Sequence, residues 1–302
     1  MTISDPPPAL GPWAEGRSKT RALVIVNEGA GSVGPGAREK LLTALAGYGI
    51  AAIQTVSDVS KLSAKAAKGM DVIVVLGGDG TARLAAEMFT DGAPLILLPG
   101  GTLNVLPHAL YGQLDWPHAL DAALTGGRVL RLPGGEANGK KFFVAAMFGA
   151  PTLLAHAREA ARHWRLGQAL SRLRHTFRRS MSRSLAVRPE GGAASRAEAV
   201  GVLCPAYSGE VEGQMLEWVR LDAARISDFV RLGLRAVVGG WRDDPTIELS
   251  LTRRGEIRSR GFIPAILDGE PTSAFVSRVR IRMLIKGPKV IALDDHARTA
   301  SL

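Results

Sequence analysis

The first part of the chain alternates short apolar runs with longer stretches of mixed polarity. The run at residues 22–26, Ala-Leu-Val-Ile-Val, contains no polar side chain, which is typical of a strand buried on both faces of a sheet. The pattern predicts strands at residues 22–26, 50–54, 72–76 and 94–98. It predicts helices at residues 37–46, 59–68 and 82–89, with further helical material from residue 108 to 124. Strands that alternate with helices predict an α/β domain built on a doubly wound parallel sheet.

The pattern changes near residue 132. Short candidate strands follow at residues 141–146, 199–204, 246–251 and 277–284, without regular alternation with helices. We therefore expect a nucleotide-binding α/β domain at residues 20–132 and a second, β-rich and sandwich-like domain at residues 133–286. The closing segment, residues 287–302, starts with the apolar run Pro-Lys-Val-Ile-Ala-Leu and is expected to rejoin the first domain. Residues 1–19, which include three consecutive prolines, are expected to form a disordered lead-in.

Three glycine-rich loops follow predicted strands of the first domain. They cover residues 27–36, 77–81 and 99–104, and all fall at the carboxyl ends of strands, where parallel sheets bind their ligands. Glycines there allow backbone N–H groups to approach a phosphate closely. Together with Asp79, Thr81, Thr102 and Asn104, the loops suit a nucleoside triphosphate with its magnesium ion. The spacing fits neither a dinucleotide fingerprint nor a Walker A sequence, which excludes those two classes of site.

Two of these loops carry a resemblance to a known family. Gly77-Gly78-Asp79-Gly80-Thr81, followed by Pro99-Gly100-Gly101-Thr102-Leu103-Asn104, resembles the diacylglycerol kinase catalytic domain shared by bacterial diacylglycerol kinases, sphingosine kinases and ceramide kinases. A third element, Asp268-Gly269-Glu270, lies late in the β-rich domain. The resemblance implies a two-domain fold with ATP in the cleft between the domains, and a lipid kinase that phosphorylates a primary hydroxyl.

The resemblance also implies roles for individual residues. The residues expected to bind nucleotide are Asn27, Gly31, Gly77, Gly78, Asp79, Gly80, Thr81, Gly100, Gly101, Thr102, Asn104 and Glu270. Asp79 is expected to bind Mg²⁺. The general base would be Asp268 in the bacterial diacylglycerol kinase pattern and Asp79 in the sphingosine kinase pattern, and Glu270 would assist with nucleotide or metal. The alternative for Asp268 is a purely structural hairpin turn, because Asp-Gly is a common turn pair.

Two positions depart from the family pattern and leave alternatives open. Glu28 follows Asn27 where the family usually has proline, and Val105 follows Asn104 where many members have aspartate. The departures leave open a nucleotide-binding regulatory protein without catalysis. An NAD kinase-like enzyme with a soluble acceptor shares the Gly-Gly-Asp-Gly element and is the other alternative.

Charge is concentrated in one segment of the second domain. The chain carries a net charge of +10, with a pI near 10.2. Residues 158–183 contain one acid, Glu159, and eight arginines, which are Arg158, Arg162, Arg165, Arg172, Arg174, Arg178, Arg179 and Arg183. Apolar residues recur there at helical spacing, as in a helix that lies on an anionic membrane surface. The alternative is a surface helix whose arginines are solvated, and no nucleic-acid-binding motif is recognised.

The location follows from the same observations. The sequence has one cysteine, Cys204, which excludes an internal disulfide framework, and no apolar run long enough to span a bilayer. We therefore expect a cytoplasmic protein that associates peripherally with the inner face of the membrane, where a lipid substrate would lie. A homodimer is left open.

Overall fold

A computed structural model describes residues 10–14, 19–149, 185–208, 213–222 and 244–294. These residues divide into two compact units. The first contains the described residues up to Pro133 and those from Ile285 onward, and the second contains the described residues between Gly134 and Leu284. The arginine-rich segment at residues 158–183 lies outside the described residues.

The first unit is built on a six-stranded sheet. Its strands are β1 (Thr20–Val26), β2 (Ile50–Val56), β3 (Val72–Gly77), β4 (Leu95–Pro99), β5 (Arg128–Arg131) and β16 (Lys289–Ala292). The order across the sheet is β2-β1-β3-β4-β16-β5, and every neighbouring pair is parallel except β16 with β5. Every residue of β3 and β4 is buried, as expected of central strands in a covered parallel sheet.

Four α-helices belong to the same unit. They are α1 (Ala37–Gly47), α2 (Asp79–Met88), α3 (Val105–Tyr111) and α4 (Trp116–Gly126), and short 3₁₀ helices cover Pro12–Ala14, Val59–Lys61 and Ala64–Ala67. The start of α4 is stabilised by Asp115, whose carboxylate accepts the backbone N–H of His118 at 3.2 Å. Its buried face consists of Ala119, Leu120, Ala123 and Leu124.

Three sequence-based predictions in this unit were wrong in detail. Residues 59–68 form two 3₁₀ helices rather than one α-helix, because the Asp58 carboxylate binds both the backbone N–H and the hydroxyl of Ser60. The helix predicted at residues 82–89 begins at Asp79 instead. The helical material expected from residue 108 begins instead at Val105, and α3 accommodates Pro107 in its first turn, where a proline costs little.

The second unit is built on one connected sheet of ten antiparallel strands. The strands are β6 (Gly134–Ala137), β7 (Lys140–Phe142), β8 (Ala145–Gly149), β9 (Leu185–Pro189), β10 (Ser195–Ala197), β11 (Ala199–Leu203), β12 (Leu216–Leu221), β13 (Ile247–Thr252), β14 (Arg254–Leu267) and β15 (Glu270–Leu284). The main path is β13-β12-β11-β8-β14-β15-β6-β7, and β9 pairs with both β10 and β14. One short helix, α5 (Pro205–Ser208), follows β11.

The core of this unit lies on one face of the sheet. It contains the fully buried side chains of Phe142, Phe148 and Ile263. Cys204 belongs to the same cluster, as expected for a small buried apolar residue. Phe148 and Phe275 meet at a ring-centroid distance of 6.1 Å, within the range of favourable aromatic pairs. The predicted mixture of a parallel α/β sheet and a second β-rich unit is therefore confirmed.

Candidate functional site

The three glycine-rich loops of the first unit contact one another directly. They follow β1, β3 and β4, which are neighbours in the sheet. The backbone N–H of Ser32 donates to the carbonyl of Gly100 at 2.9 Å, and the Ser32 hydroxyl donates to the carbonyl of Gly101 at 2.6 Å. The backbone N–H of Gly100 in turn donates to the carbonyl of Gly77 at 2.9 Å. Three segments that are far apart in sequence therefore form one continuous loop cluster.

Several glycines are required by this packing. A Cβ atom on Gly100 would lie 2.4 Å from Cγ2 of Val33, and one on Gly101 would lie 2.7 Å from Cα of Gly78. A Cβ on Gly77 would lie 2.9 Å from Cβ of Thr81. These distances are below any normal contact, so the loops approach as closely as they do only because side chains are absent. The result is a surface made largely of backbone atoms.

The two asparagines hold the loops together. Asn27 donates from Nδ2 to the hydroxyl of Thr81 at 3.0 Å and accepts the backbone N–H of Gly29 at 3.1 Å. Asn104, in left-handed backbone conformation with φ of 50°, accepts the N–H of Gly101 at 2.6 Å and donates to its carbonyl at 2.9 Å. Both residues were predicted to bind the ligand, and their contacts with the loop backbone are visible only once the loops are folded.

Asp79 occupies the positive end of a helix. It is the first residue of α2, after the capping residue Gly78, and Gly80 and Thr81 complete the first turn. Its Oδ1 atom lies 3.5 Å from the backbone nitrogen of Leu106 at the start of α3. Unpaired N–H groups at a helix start favour anions such as phosphate. Gly31 and the exposed Thr102 lie on the other two loops and are close to each other. A Cβ atom on Gly31 would lie 3.3 Å from Oγ1 of Thr102.

The loop cluster suits a metal ion that arrives with a nucleotide. Among the described residues, no group of three or more His, Cys, Asp or Glu side chains could hold a metal on its own. Mg²⁺ typically uses one or two carboxylates and takes its other ligands from substrate phosphates and water. One carboxylate, Asp79, beside backbone donors fits that arrangement. Glu28, on the first loop, is exposed.

Asp268 lies in the second unit, in a two-residue hairpin turn. Asp268 and Gly269 connect β14 to β15 with φ of 50° and 80°, and Leu267 pairs with Glu270 across the turn. Positive φ at both central residues is the conformation that favours Asp-Gly in tight hairpins. The turn interpretation of Asp268 is therefore confirmed for its backbone. Glu270 is exposed at the first position of β15.

The Asp268 side chain has a second set of contacts, which the sequence did not reveal. Its carboxylate accepts three backbone N–H groups, from Phe143 and Val144 at 2.8 Å and from Ala145 at 3.0 Å, and the residue is only 7% exposed. Residues 141–146 were predicted as one strand, but the chain breaks between β7 and β8, where these N–H groups turn to the carboxylate. Burial, followed by the negative charge of Asp268, raises the pKa of the nearby Cys204 thiol.

The structure brings the predicted site residues of the first unit together in one loop cluster. Those of the second unit, Asp268 and Glu270, lie at the β14–β15 turn. The loop cluster contains all the predicted residues from Asn27 to Asn104. Asp268 and Glu270 adjoin each other in the β14–β15 turn. In the part of the chain that the structure describes, no helix combines the length and apolar character needed to cross a bilayer.

Solved structures with the same fold include two kinds of kinase. A diacylglycerol kinase from Bacillus anthracis str. Sterne has a TM-score of 0.63 and 20% identity, over 91% of this chain and 98% of that one. An NAD kinase from Archaeoglobus fulgidus in complex with ATP has a TM-score of 0.55 and 14% identity, over 94% and 97%. Yeast NADH kinase complexed with NADH has a TM-score of 0.53 and 11% identity, over 94% and 87%. At these identities the likeness establishes the fold alone.

Sequence comparison gives a family match over part of the chain. No curated protein matches the chain. Residues 21–131 match the family model described as the diacylglycerol kinase catalytic domain, and this segment contains the whole loop cluster. The match confirms the resemblance carried by Gly77–Thr81 and Pro99–Asn104. Residues 21–131 are therefore similar to the catalytic domain of diacylglycerol kinases.

Proposed function

We propose that the protein is an ATP-dependent lipid kinase that phosphorylates the primary hydroxyl of a membrane lipid, such as diacylglycerol, ceramide or a sphingoid base. The observation that carries this function is the loop cluster, in which three glycine-rich loops pack backbone to backbone beside Asp79 at the start of α2. The cluster lies within the segment that matches the diacylglycerol kinase catalytic domain.

The loop cluster has the donors that a nucleoside triphosphate needs. Phosphoryl transfer is catalysed mostly by positioning and by neutralising charge on the phosphate oxygens. N–H groups at the start of α2 and in the glycine loops would bind those oxygens, with the exposed Thr102 hydroxyl at the rim. Asp79 would hold Mg²⁺, which offsets charge on the β- and γ-phosphates when bound. Asn27 and Asn104 would act indirectly, by fixing the loops that carry these donors.

Asp79 and Asp268 are both candidates for the general base that accepts the proton of the lipid hydroxyl. A carboxylate that accepts three backbone N–H groups is held rigidly, and protonation of Asp268 would weaken those bonds. Asp79 has one long backbone contact, at 3.5 Å, and lies at the first position of α2. A general base contributes about 10²- to 10⁴-fold to the rate.

A lipid acceptor is favoured over NAD by the sequence of the third loop. The segment Pro-Gly-Gly-Thr-Leu-Asn has the form found in lipid kinases, and the family match is to the diacylglycerol kinase catalytic domain. The arginine-rich residues 158–183 would then hold the protein at the inner face of the membrane, beside its substrate. The fold likeness to NAD kinases makes NAD the necessary second acceptor in any assay.

The test is an acceptor screen with γ-labelled ATP and Mg²⁺. Diacylglycerol, monoacylglycerol, ceramide and a sphingoid base would be offered separately in mixed micelles, with NAD in solution as a further arm. We expect label in one lipid class, and none with Asp79→Ala. Asp91→Ala, which removes an exposed carboxylate of the same unit, is the matched control and should leave turnover unchanged.

Two outcomes would contradict the lipid kinase. Label transferred to NAD and to no lipid would establish the soluble-acceptor alternative. ATP binding measured by calorimetry, with no transfer to any acceptor, would favour a nucleotide-binding regulatory protein, for which Glu28 and Val105 are the sequence evidence.

A further inference from the structure

The outward face of the long β14–β15 hairpin carries rows of arginines. In the strand register Arg254 lies opposite Arg282, Glu256 opposite Arg280, and Arg258 opposite Arg278. Glu256 also lies opposite Arg188 on the adjacent strand β9. We call this surface the arginine face; it comprises Arg188, Arg254, Arg258, Arg278, Arg280 and Arg282. The alternate residues Ile257, Val279 and Ile281 are buried in the core on the other face of the sheet.

The arginine face has an excess of positive charge. Glu256 pairs with Arg258, Arg278 and Arg280, and Glu136 pairs with Arg282 at 2.9 Å. Arg254 also pairs with Glu190 at 3.9 Å, so six arginines against these three glutamates leave three positive charges in excess. Like charges directly opposite each other destabilise a sheet, and Arg254 with Arg282 and Arg258 with Arg278 are two such pairs. The glutamates leave part of this positive charge uncompensated.

An exposed apolar pair adjoins the arginines on the same hairpin. Phe262 and Val276 lie opposite each other, and they are 65% and 66% exposed. Their chain neighbours Ile263 and Phe275 are buried in the core, so the pair points to the side of the sheet that carries the arginines. A large exposed aromatic side chain beside a cationic surface is typical of a membrane contact.

A shallow depression lies at the other end of the face. It has a volume of about 820 Å³, and its lining combines four arginines with three glutamates: Arg188, Arg254, Arg280, Arg282, Glu136, Glu190 and Glu256. Guanidinium groups bind phosphate oxygens in a bidentate manner. A depression lined by four of them could hold a phospholipid headgroup.

We propose that the arginine face, with Phe262 and Val276 at its edge, is a docking surface for a bilayer that contains anionic phospholipids. Charge complementarity and the exposed apolar pair select this partner: the arginines contact lipid phosphates and the pair enters the headgroup region. The residues of this surface are different from residues 158–183 and from those of the loop cluster. Docking needs no nucleotide and no catalysis, so it does not depend on the proposed kinase activity.

The size of the effect can be estimated from the number of arginines. Each arginine close to an anionic leaflet strengthens binding about fivefold. Arg188→Gln, Arg254→Gln and Arg280→Gln, combined in one variant, should weaken binding about 100-fold. These three were chosen because the ion pairs of Arg254 and Arg280 are long, at 3.9 Å and 3.8 Å, so their loss disturbs the fold little. Phe262→Ser should weaken binding about tenfold by removing the apolar contact.

The experiment is sedimentation of the full-length protein with vesicles, without nucleotide. Vesicles that contain phosphatidylglycerol would be compared with vesicles of phosphatidylcholine alone, at low and high salt. The charge control is Lys61→Gln, Lys65→Gln and Lys68→Gln, which removes the same charge from exposed positions of the first unit. The apolar control is Ile53→Ser, at an exposed position of β2. Circular dichroism and the melting temperature confirm that each variant is folded.

We expect the wild type and both controls to bind the anionic vesicles in a salt-dependent manner, and the triple arginine variant and Phe262→Ser to bind weakly. Unchanged binding of the triple arginine variant, or an equal loss in the lysine control, would overturn the docking surface. A variant that changes the oligomeric state and keeps vesicle binding would instead identify the face as an interface between copies of the chain. Vesicle binding through this face, together with a failed acceptor screen, would refute the kinase and leave the docking surface standing.

Discussion

The Asp268 carboxylate accepts the backbone N–H of Val144 at 2.8 Å, although the two residues are 124 positions apart in the sequence. Together with the bonds from Phe143 and Ala145, this contact ties the β14–β15 turn to the break between β7 and β8. The residue that the family resemblance proposes as general base is therefore also a structural residue of the second unit. Its substitution should have two effects, which can be measured separately.

Asp268→Asn should lower both stability and turnover. The amide nitrogen of asparagine would face a backbone N–H, so at least one buried hydrogen bond is lost, at a cost of about 1–3 kcal/mol. If Asp268 is the base, turnover falls by about 10² to 10⁴, while ATP binding to the loop cluster stays nearly intact. Urea unfolding, steady-state kinetics and calorimetric ATP titration separate the three quantities.

The control for Asp268→Asn is Asp91→Asn, at an exposed position of the first unit. It should change none of the three measurements. Normal turnover in a destabilised Asp268→Asn protein would assign the base to Asp79. Loss of ATP binding would show that the assigned role of Asp268 is wrong.

Gly101→Ala should separate two of the loops in the first unit. The new Cβ would lie 2.7 Å from Cα of Gly78 and 3.1 Å from Oδ1 of Asn104, and backbone atoms cannot rotate away as a side chain can. We expect ATP affinity to fall at least about tenfold, with a stability loss of about 1–3 kcal/mol from overpacking. Calorimetric ATP titration and urea unfolding give the two values.

Gly34→Ala is the matched substitution within the same loop cluster. No atom lies within 4 Å of a Cβ at Gly34, so the alanine should be neutral or slightly stabilising. Equal ATP affinity in the two alanine variants would contradict the view that close loop packing creates the nucleotide site.

Tyr111→Phe should destabilise the first unit. The Tyr111 hydroxyl donates to the carbonyl of Ile291 on β16 at 2.7 Å and accepts the backbone N–H of Leu97 on β4 at 3.3 Å. Burial of this hydroxyl raises the pKa of Tyr111, so it stays protonated and remains a donor. Its removal leaves buried backbone groups without a partner and should cost about 1–3 kcal/mol.

Tyr48→Phe removes a hydroxyl of the same kind from the surface, where it donates to Asp121. Its effect on the free energy of unfolding should be within about 0.5 kcal/mol. Urea unfolding of the two variants compares them directly. A similar loss in both would mean that the Tyr111 hydroxyl does not link α3 to the sheet.

The sequence predicted the elements in which burial is uniform. The strands at residues 22–26 and 72–76 were recognisable because both faces are buried and every residue is apolar. The loop cluster was also recognisable, since parallel neighbouring strands place their carboxyl ends together. The short helices at residues 59–67 were missed because a local side-chain contact from Asp58 competes with the helical pattern.

Long-range side-chain contacts could not be predicted from the sequence. The hairpin from Arg254 to Leu284 alternates buried apolar residues with arginines, and its irregular register obscures the period of two that marks a strand. The partners of the Asp268 carboxylate lie more than 120 positions away, and no local pattern marks them. The asparagines of the loop cluster were identified as site residues, but only the folded loops show that they bind backbone groups.

Glu256→Gln should reduce stability more at neutral pH than in acid. Burial of Glu256 favours its neutral form, but hydrogen bonds and positive charge from Arg258 and Arg278 outweigh burial and lower its pKa from the ordinary value of 4.5. Arg280 on β15 and Arg188 on β9 also face it.

A pKa lowered by folding means that the charged form stabilises the protein above about pH 4.5, and that this contribution is lost as the pH falls below that value. The glutamine variant should therefore unfold at lower urea near pH 7, by about 1 kcal/mol, and approach the wild type as the pH falls through the lowered pKa of Glu256. Glu190→Gln, which removes an exposed carboxylate 3.9 Å from Arg254, is the control and should have little effect at either pH. A loss that is equally large in acid would show that Glu256 acts through packing and not through its charge.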